Sequence, residues 1–166
     1  MVSTESSQIR DIALQVDGVE VPWLRPKDLA GDHSHIIDSV LHTIKKYKKL
    51  GEEFDGVALL QPTSPMRSLK TIKDAVHLFT FNNYLKSVVA MSRLSEKVEW
   101  AFQEQSNCVS PVFGWNNLFK RSQDLTEFWV PNGLIYLASP NNLLEFSSFI
   151  NPKISMLKIT DNNEAI

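Results

Sequence analysis

The sequence has very little cysteine and no long apolar run. Cys108 is the one cysteine in 166 residues, so the chain can form neither an internal disulfide nor a cysteine cage for a metal ion. No apolar stretch approaches the roughly 20 residues that a membrane-spanning helix needs, and the N-terminus lacks the charged and apolar regions of a secretion signal. These absences predict a cytoplasmic protein with no membrane partner.

An excess of basic residues is also missing. The chain has 17 Lys plus Arg against 19 Asp plus Glu, a formal net charge of −2. The balance excludes a global positive field that would attract nucleic acid or an anionic membrane surface. The glycine fingerprints of dinucleotide-binding and P-loop proteins are absent as well. Nucleic acid is therefore not an expected partner, and any anionic ligand must be bound by a few local groups.

The residues that are present suit one globular domain spanning 1–166. Hydrophobic residues make up 43% of the chain and charged residues 22%, which is enough for one sizeable core. Apolar periodicity predicts alternating helices and strands, with an irregular lobe at 96–131. Helices are expected at 6–16, between Gly31 and Gly51, after Ser68 and at 141–149, and strands at 56–61, 86–91, 132–137 and 154–159. This alternation is typical of an α/β three-layer sandwich with a mainly parallel sheet.

Three apolar patterns predict which faces are buried. The run at 56–61 is continuous rather than alternating, which is typical of a strand covered on both faces. The first helix is expected to turn its apolar residues inward, and so is the helix after Ser68. The inward residues would be Ile9, Ile12, Ala13 and Val16 in the first helix, and Leu69, Ile72, Val76 and Phe79 in the other.

A polar segment, QPTSPMR at 61–67, follows the first strand directly. In open α/β sheets, ligands bind beyond the carboxyl ends of strands. Gln61 offers a donor and an acceptor, and Thr63 and Ser64 offer hydroxyls. Arg67 adds a planar cation, and two prolines keep the turn rigid. The segment therefore predicts a preorganised receptor for a polar ligand; the alternative is an ordinary turn in which Arg67 pairs with a surface acid.

Two further patterns each have a functional and a structural interpretation. Residues 32–35, Asp-His-Ser-His, contain a His-x-His pair of the kind that can share a metal ion. No third ligand is nearby and the segment starts a helix, which favours ordinary capping. Eight aromatic residues are of the types that stack on nucleic-acid bases: Trp23, Trp100, Trp115, Trp129, Phe102, Phe113, Phe119 and Phe128. Their spacing and the negative net charge favour packing in the core or at a dimer contact.

Five segments, read in order, closely resemble the acylneuraminate cytidylyltransferases, the synthetases that activate sialic acids. They are VSTESSQIRDIA at 2–13, EVPWLRPKDLAGDHS at 20–34, LLQPTSPMR at 59–67, RSQDL at 121–125 and PNGLIYL at 131–137. The resemblance runs through nearly the whole chain. It implies a Rossmann-like fold of the nucleotide-diphospho-sugar transferase type and a homodimer.

The same resemblance implies a reaction. The family joins CTP to a free sugar acid, forming a CMP-linked nonulosonic acid and releasing pyrophosphate with the help of Mg²⁺. Such chemistry needs the sugar hydroxyl in line with the α-phosphate and a metal ion to neutralise the transferring group. Neuraminic, legionaminic and pseudaminic acids remain alternatives for the sugar.

Site residues are carried over from the resemblance position by position. The sugar-acid side comprises Gln61, Thr63, Ser64, Asn132, Tyr136 and Phe149. Phe149 resembles an aromatic wall that the partner subunit of a dimer normally contributes. Arg25 and Ser34 match the nucleotide side, and Arg67 and Arg121 are candidates for contacting anionic groups. The resemblance assigns no catalytic residue and no metal ligand in this chain.

Three departures from the family pattern qualify the expected activity. The family's N-terminal strand with its glycine-rich basic loop has no counterpart here, and neither has its Asp-x-Asp pair for Mg²⁺. The arginine that precedes Gln-Asp-Leu in the family aligns with Ser122, one place after Arg121. A phosphate cradle and a metal ion are the main means of stabilising nucleotidyl transfer. We therefore expect the 166 residues alone not to turn over CTP; the alternative function is a non-catalytic remnant, a sugar-binding or dimerisation module of the family.

Overall fold

The computed structural model describes residues 1–161 and residue 164. Two compact units are present, and each is described by itself: unit 1 is Met1–Val57 with Ser139–Ser148, and unit 2 is Ala58–Ala138 with Phe149–Ile166. The helices are α1 (Ser7–Ala13), α2 (Ile36–Lys49), α3 (Leu69–Phe81) and α4 (Pro140–Phe146). The strands are β1 (Val57–Leu59), β2 (Ser87–Arg93), β3 (Phe102–Gln105), β4 (Cys108–Pro111), β5 (Trp129–Ala138) and β6 (Ile154–Ile159).

Unit 1 is built on the packing of α2 against α4. Val40 in α2 and Leu143 in α4 are its buried apolar side chains on these two helices. Residues 2–4 lie extended beside residues 20–25, because Val2 N–H donates to Glu20 O at 2.8 Å and Arg25 N–H donates to Thr4 O at 2.7 Å. This pairing holds the start of the chain next to the Leu-Arg-Pro turn.

Helix α1 does not bury the face that its sequence predicts. Ser6 caps it by accepting from Ile9 N–H, yet no residue of the helix is buried. Ile9 is 51% exposed and Ile12 66%, so the inward orientation expected for them is wrong. Seven residues make only two turns, and apolar spacing alone cannot supply a surface for such a short helix to pack on.

Unit 2 contains a four-stranded sheet in the order β1-β5-β2-β6. Strand β2 runs antiparallel to β5, with Val88 opposite Leu137, and parallel to β6, with Ser87 opposite Ile154. The sheet is therefore mixed, which agrees with the α/β class expected from the sequence. Helix α3 packs against β2, β5 and β6. The core between them consists of Ala75, Phe79, Val88, Ala90, Leu134, Ile135, Leu137 and Ile159.

Strand β1 is the edge of this sheet and not its most buried member. It has three residues whose exposure alternates, with Ala58 exposed, and Leu60 directly after it is 42% exposed. The expectation of a strand covered on both faces is therefore wrong. An edge strand has a neighbour on one side only, so a continuous apolar run there does not imply burial.

Helix α3 begins as predicted but turns a different stripe inward. The Ser68 hydroxyl accepts from Thr71 N–H, which caps the helix. Thr71, Ala75 and Phe79, spaced four apart, are buried, whereas Leu69 is 66% and Val76 46% exposed. The inward orientation expected for Leu69 and Val76 is wrong. The four-residue spacing of Thr71, Ala75 and Phe79 defines the inward face, and Leu69 and Val76 lie off it.

Residues 102–119, the hairpin segment, extend from unit 2. Strands β3 and β4 pair antiparallel from Phe102 opposite Pro111 to Gln105 opposite Cys108. The rings of Phe102 and Trp115 meet edge to face at 6.4 Å, and Phe119 is 83% exposed. Core packing, one of the two roles expected for these aromatic residues, is therefore wrong for Phe102, Trp115 and Phe119.

Candidate functional site

Arg67 links the polar turn after β1 to the neighbouring strand β5. Its Nη2 donates to the carbonyl oxygen of Gln61 at 2.9 Å, and its Nε donates to the carbonyl oxygen of Leu134. The Gln61 carbonyl also accepts from Ser64 N–H at 3.3 Å, closing the turn. Burial lowers the pKa of Arg67 from its ordinary value. Two donor groups of the Arg67 guanidinium thus bind backbone carbonyl oxygens. Neither of these two partners is the surface acid that the ordinary-turn alternative predicts.

A wide irregularity in β5 begins beside this turn. Val89 lies opposite Tyr136 and Met91 opposite Pro131, so the single residue Ala90 faces residues 132–135. Such bulges redirect side chains without ending the strand. The extra residues include Asn132, which the resemblance places on the sugar-acid side, and Gly133.

Asn132 is held by two hydrogen bonds within the bulge. Its Oδ1 accepts from Leu134 N–H at 3.1 Å, and its Nδ2 donates to Ser92 Oγ at 3.0 Å. The bonds fix which end of the carboxamide points in which direction. Ser92 was not recognised from the sequence, because nothing in a strand pattern identifies its cross-strand neighbour.

Gly133 is a second place where β5 and the turn come close. Its φ is +80°, a conformation that residues with a side chain rarely adopt, and a Cβ there would lie 3.0 Å from Gln61 Oε1 and 3.4 Å from Ser64 Oγ. The Gln61 carboxamide and the hydroxyl of the buried Ser64 therefore rest on Gly133. Sequence reasoning missed this role, although the Asn-Gly dipeptide is a recognised signal for a positive φ.

Two aromatic residues of the expected site contact each other. The ring centroids of Tyr136 and Phe149 are 6.0 Å apart with the planes inclined by 53°. Phe149 is 6% exposed, so in this conformation it packs on Tyr136 of its own chain and presents little surface to a neighbouring subunit. Thr63, in contrast, is exposed on the turn.

The expected sugar-acid residues thus fall into three groups within unit 2. Gln61 and Ser64 lie close to Gly133, next to Asn132 in the bulge. Tyr136, further along β5, packs on Phe149. Thr63 is exposed at the surface. Amide and hydroxyl groups held in fixed directions, together with an aromatic surface, are the components that recognise a polyhydroxylated ligand.

The two residues expected on the nucleotide side lie in unit 1, and both have internal partners. Arg25 Nη2 donates to Glu5 Oε2 at 2.7 Å, while its Nε is buried without a hydrogen-bond partner. This bond from Arg25 holds the pKa of Glu5 below its ordinary value. The Ser34 hydroxyl donates to Asp28 O at 3.0 Å and accepts from Gly31 N–H at 3.1 Å, closing the loop before α2.

Arg121 lies apart from the Gln61 group, next to an open cavity. It precedes a short 3₁₀ helix, Ser122–Asp124, and is exposed. The cavity has a volume of about 410 Å³ and is lined by residues from 93–99 and 122–128. None of the six residues expected on the sugar-acid side lines it, so this space does not mark the site expected from the sequence.

Glu99, in the wall of that cavity, is a buried carboxylate with two partners. Thr126 Oγ1 donates to it at 2.9 Å and Lys120 Nζ lies 3.5 Å from both carboxylate oxygens. The hydrogen bond from Thr126 and, to a smaller extent, the charge of Lys120 lower the pKa of Glu99 despite its burial. Because residue 99 precedes the hairpin segment and residues 120 and 126 follow it, this cluster joins both ends of that segment.

Within residues 1–161 and 164, no group of three or more His, Cys, Asp or Glu side chains is placed to hold a metal ion. His33 and His35 are exposed, and α2 begins after His35 without a side-chain capping bond. Helix α2 thus follows the segment directly, but the capping expected of the segment's side chains is wrong. In the same part of the chain, no helix has the length and apolar character to cross a membrane.

Curated relatives align with the chain from end to end. It is 37% identical over 169 residues to the CMP-N,N'-diacetyllegionaminic acid synthase of Legionella pneumophila, covering all of this chain and 70% of the relative. It is 25% identical to the pseudaminic acid cytidylyltransferase of Campylobacter jejuni, covering 98% of this chain and 69% of that one. The N-acylneuraminate cytidylyltransferase of Escherichia coli is 26% identical, and the chain spans 38% of its length.

No model of a known protein family matches the chain. The identity to the Legionella enzyme, over more than two thirds of its length, nevertheless exceeds what unrelated proteins share. The aligned residues include the turn at 61–67 and the bulge at 132–135. The chain belongs to the family of sugar-acid cytidylyltransferases that contains the CMP-legionaminic, pseudaminic and N-acylneuraminic acid synthases.

Proposed function

We propose that the chain is the sugar-acid-binding part of a CTP:nonulosonic acid cytidylyltransferase. In the proposed reaction the anomeric hydroxyl of the sugar acid attacks the α-phosphorus of CTP, a new oxygen–phosphorus bond forms, and pyrophosphate leaves with the electrons of the broken bond. The observation that carries the proposal is the braced contact among Gln61, Ser64 and Gly133. The activities for which the three relatives are named agree with it.

The groups in unit 2 match what a nine-carbon sugar acid offers. Its hydroxyls and acylamino groups need donors and acceptors in fixed directions, which Gln61, Ser64 and Asn132 supply. Its apolar ring face suits the Tyr136–Phe149 pair, and its carboxylate needs a cation. Arg67 retains N–H groups beyond the two that bind carbonyls, and Arg121 is exposed, so both stay in the proposal as anion contacts.

Arg25 and Ser34 are proposed for the nucleotide side. Arg25 is a half-buried cation whose partner is one exposed carboxylate, and a phosphate could compete with Glu5 for it. Ser34 shapes the loop that precedes α2 and would act through that loop's backbone as well as its own oxygen.

Nucleotidyl transfer of this kind generally depends on a metal ion, and we include Mg²⁺ in the proposal. The described residues do not fit a metal site, because residues 1–161 and 164 bring no three ligating side chains together. We therefore assign no residue of the chain as a ligand of Mg²⁺. Since the sequence shows no counterpart of the family's glycine-rich loop or of its Asp-x-Asp pair, we do not expect CTP turnover by these 166 residues alone.

The proposal also includes the arrangement of the sheet, a homodimer and a cytoplasmic location. The alignment with relatives continues through both units, which supports one cytidylyltransferase-like domain with a mainly parallel, three-layer Rossmann-like arrangement in the complete fold. A homodimer is supported by the exposed aromatic residues of the hairpin segment, among them Trp115 at 62% and Phe119 at 83%. A cytoplasmic location is consistent with a single cysteine and with CTP as substrate.

The direct test measures binding to the purified chain by calorimetry. N,N'-Diacetyllegionaminic, pseudaminic and N-acetylneuraminic acids are titrated separately, and CTP is titrated in parallel. At least one sugar acid should bind, and Gln61→Ala should weaken it about tenfold or more, since a lost bond to a polar ligand leaves its partner unsatisfied. Gln103→Ala, at an exposed position of β3, is the matched control and should bind as the unmodified chain does.

Two results would contradict the proposal. If none of the three acids binds, or if Gln61→Ala and Gln103→Ala bind equally well, the turn is not the sugar receptor. Pyrophosphate release from CTP, Mg²⁺ and the bound acid distinguishes the two candidate functions. Release indicates a working cytidylyltransferase, whereas sugar binding without release supports the binding or dimerisation module.

A further inference from the structure

Arg67 connects two peptides that both lead to proposed ligand groups. One is the Gln61 peptide, whose carbonyl accepts from Nη2 at 2.9 Å, and the other is the Leu134 peptide, whose carbonyl accepts from Nε. The Leu134 N–H in turn donates to Asn132 Oδ1. The planar side chain of Arg67 therefore links Gln61, at the start of the turn, to Leu134, in the bulge at 132–135.

Gly133 is the second residue in contact with Gln61. A Cβ at this position would lie 3.0 Å from Oε1 of the Gln61 carboxamide, closer than most carbon–oxygen contacts, so the carboxamide would have to move by a few tenths of an ångström. Side-chain amides normally rotate freely at their last bond unless packing or hydrogen bonds restrict them. Here the backbone of Gln61 is held by Arg67, and its carboxamide lies in space that the missing side chain of Gly133 leaves open.

We infer that Arg67 and Gly133 are positioning residues for the Gln61 carboxamide. Arg67 fixes the backbone from which this side chain extends, and Gly133 leaves the space in which it lies. The inference deepens the proposed function and rests on it, because Gln61 is the group proposed to bind the sugar acid. Lysine cannot replace Arg67 in this role, since an ammonium group lacks the two-pronged planar geometry that reaches both carbonyls.

The test uses two substitutions, each with a matched control. Arg67→Lys keeps the charge but loses the fork, and Arg93→Lys is its control because Arg93 pairs with exposed Glu127 at 3.0 Å. Gly133→Ala adds the crowding Cβ. Gly114→Ala is its control because Gly114 has almost the same φ, +81°, with nothing within 4 Å of its added Cβ. The second pair separates crowding of Gln61 from backbone strain.

The main readout is the side-chain amide resonance pair of Gln61 in a ¹⁵N–¹H NMR spectrum, assigned by its loss in Gln61→Ala. We expect the pair to move toward the position of a free amide in Arg67→Lys and to shift in Gly133→Ala, but not in either control. Binding of whichever of the three sugar acids binds the unmodified chain should weaken about tenfold in both test variants, the loss expected for a misdirected polar contact.

Unchanged Gln61 resonances in both test variants would overturn the inference, whatever happens to stability. Should Arg67→Lys fail to unfold cooperatively, the Gly133→Ala and Gly114→Ala pair decides alone. If the resonances move as expected while the unmodified chain binds no sugar acid, the positioning roles stand and the proposed function fails. Shifted resonances with unchanged affinity would overturn the link between positioning and binding.

Discussion

The turn at 61–67 and the hairpin segment at 102–119 belong to the same unit, yet they are held in opposite ways. The turn is polar, and its backbone is tied to a buried strand through Arg67. The hairpin segment is rich in apolar and aromatic side chains, and every residue of β3 is exposed. Polar side chains thus mark the more constrained region, because directional bonds to buried carbonyls order a loop more than apolar content does when nothing covers it.

Removing one apolar side chain from the strand that holds the turn and one from the hairpin segment gives the largest expected difference. Leu134, beside the turn, is fully buried, so Leu134→Ala should lower the free energy of unfolding by about 2–5 kcal/mol through lost burial and a cavity. Phe119→Ala, at 83% exposure, should change it by less than about 0.5 kcal/mol. Urea unfolding followed by circular dichroism measures both, and equal losses would abolish the contrast between the regions.

The next largest expected difference in stability is between substitutions of Asn132, in the bulge beside the turn, and of Asn116, in the hairpin segment. Asn132→Ala removes the acceptor of Leu134 N–H and the donor to Ser92, and should cost about 1–3 kcal/mol. Asn116→Ala, at an exposed position of the hairpin segment, should stay within about 0.5 kcal/mol of the unmodified protein. The same urea experiment decides, and a larger loss from Asn116→Ala would show that the hairpin segment is the more constrained region.

The smallest expected effect is a pH dependence at the base of the hairpin segment. The pKa of Glu99 is lowered in the folded chain, so its contribution to stability is present above the ordinary value of 4.5 and is lost as the pH falls through the lowered pKa. Thr126→Val removes the main cause of the lowering, so the loss should begin at a higher pH. Hydrogen exchange of the β3 and β4 amides between about pH 3 and pH 6 measures it.

Thr80→Val serves as the control for that experiment, because the Thr80 hydroxyl donates to the His77 carbonyl and touches no carboxylate. Its pH dependence should match that of the unmodified chain. If Thr126→Val also matches, Glu99 does not join the ends of the hairpin segment.

The sequence predicted the helices and strands well where a local signal exists. The cap at Ser68 and the whole of β6 lie where expected, because a capping serine and an apolar run between turn signals act over a few residues. Burial was less predictable. Leu69 and Ile12 are exposed because the surface available to each helix is set by distant parts of the chain.

In the candidate site, too, local motifs were predictable from the sequence and long-range contacts were not. Gln61 and Asn132 were identified from short motifs, but their relation to Gly133 and Ser92 depends on the register between β2 and β5. Likewise, an arginine in a turn gives no sign of whether its donors reach an anion or a carbonyl. The contacts of Arg67 required the position of Leu134, which is 67 residues away in the sequence.

The bulge at 132–135 has a consequence for how specificity can diverge in such proteins. Four residues of β5 face one of β2, while the pairs Val88–Leu137 and Arg93–Trp129 on either side keep their partners. An insertion or deletion within those four residues would reshape the polar surface while the buried pairing of Val88 with Leu137 keeps its register. Under the proposed function, a change in the length of this bulge would therefore alter the preference for one sugar acid over another without disturbing the hydrophobic core.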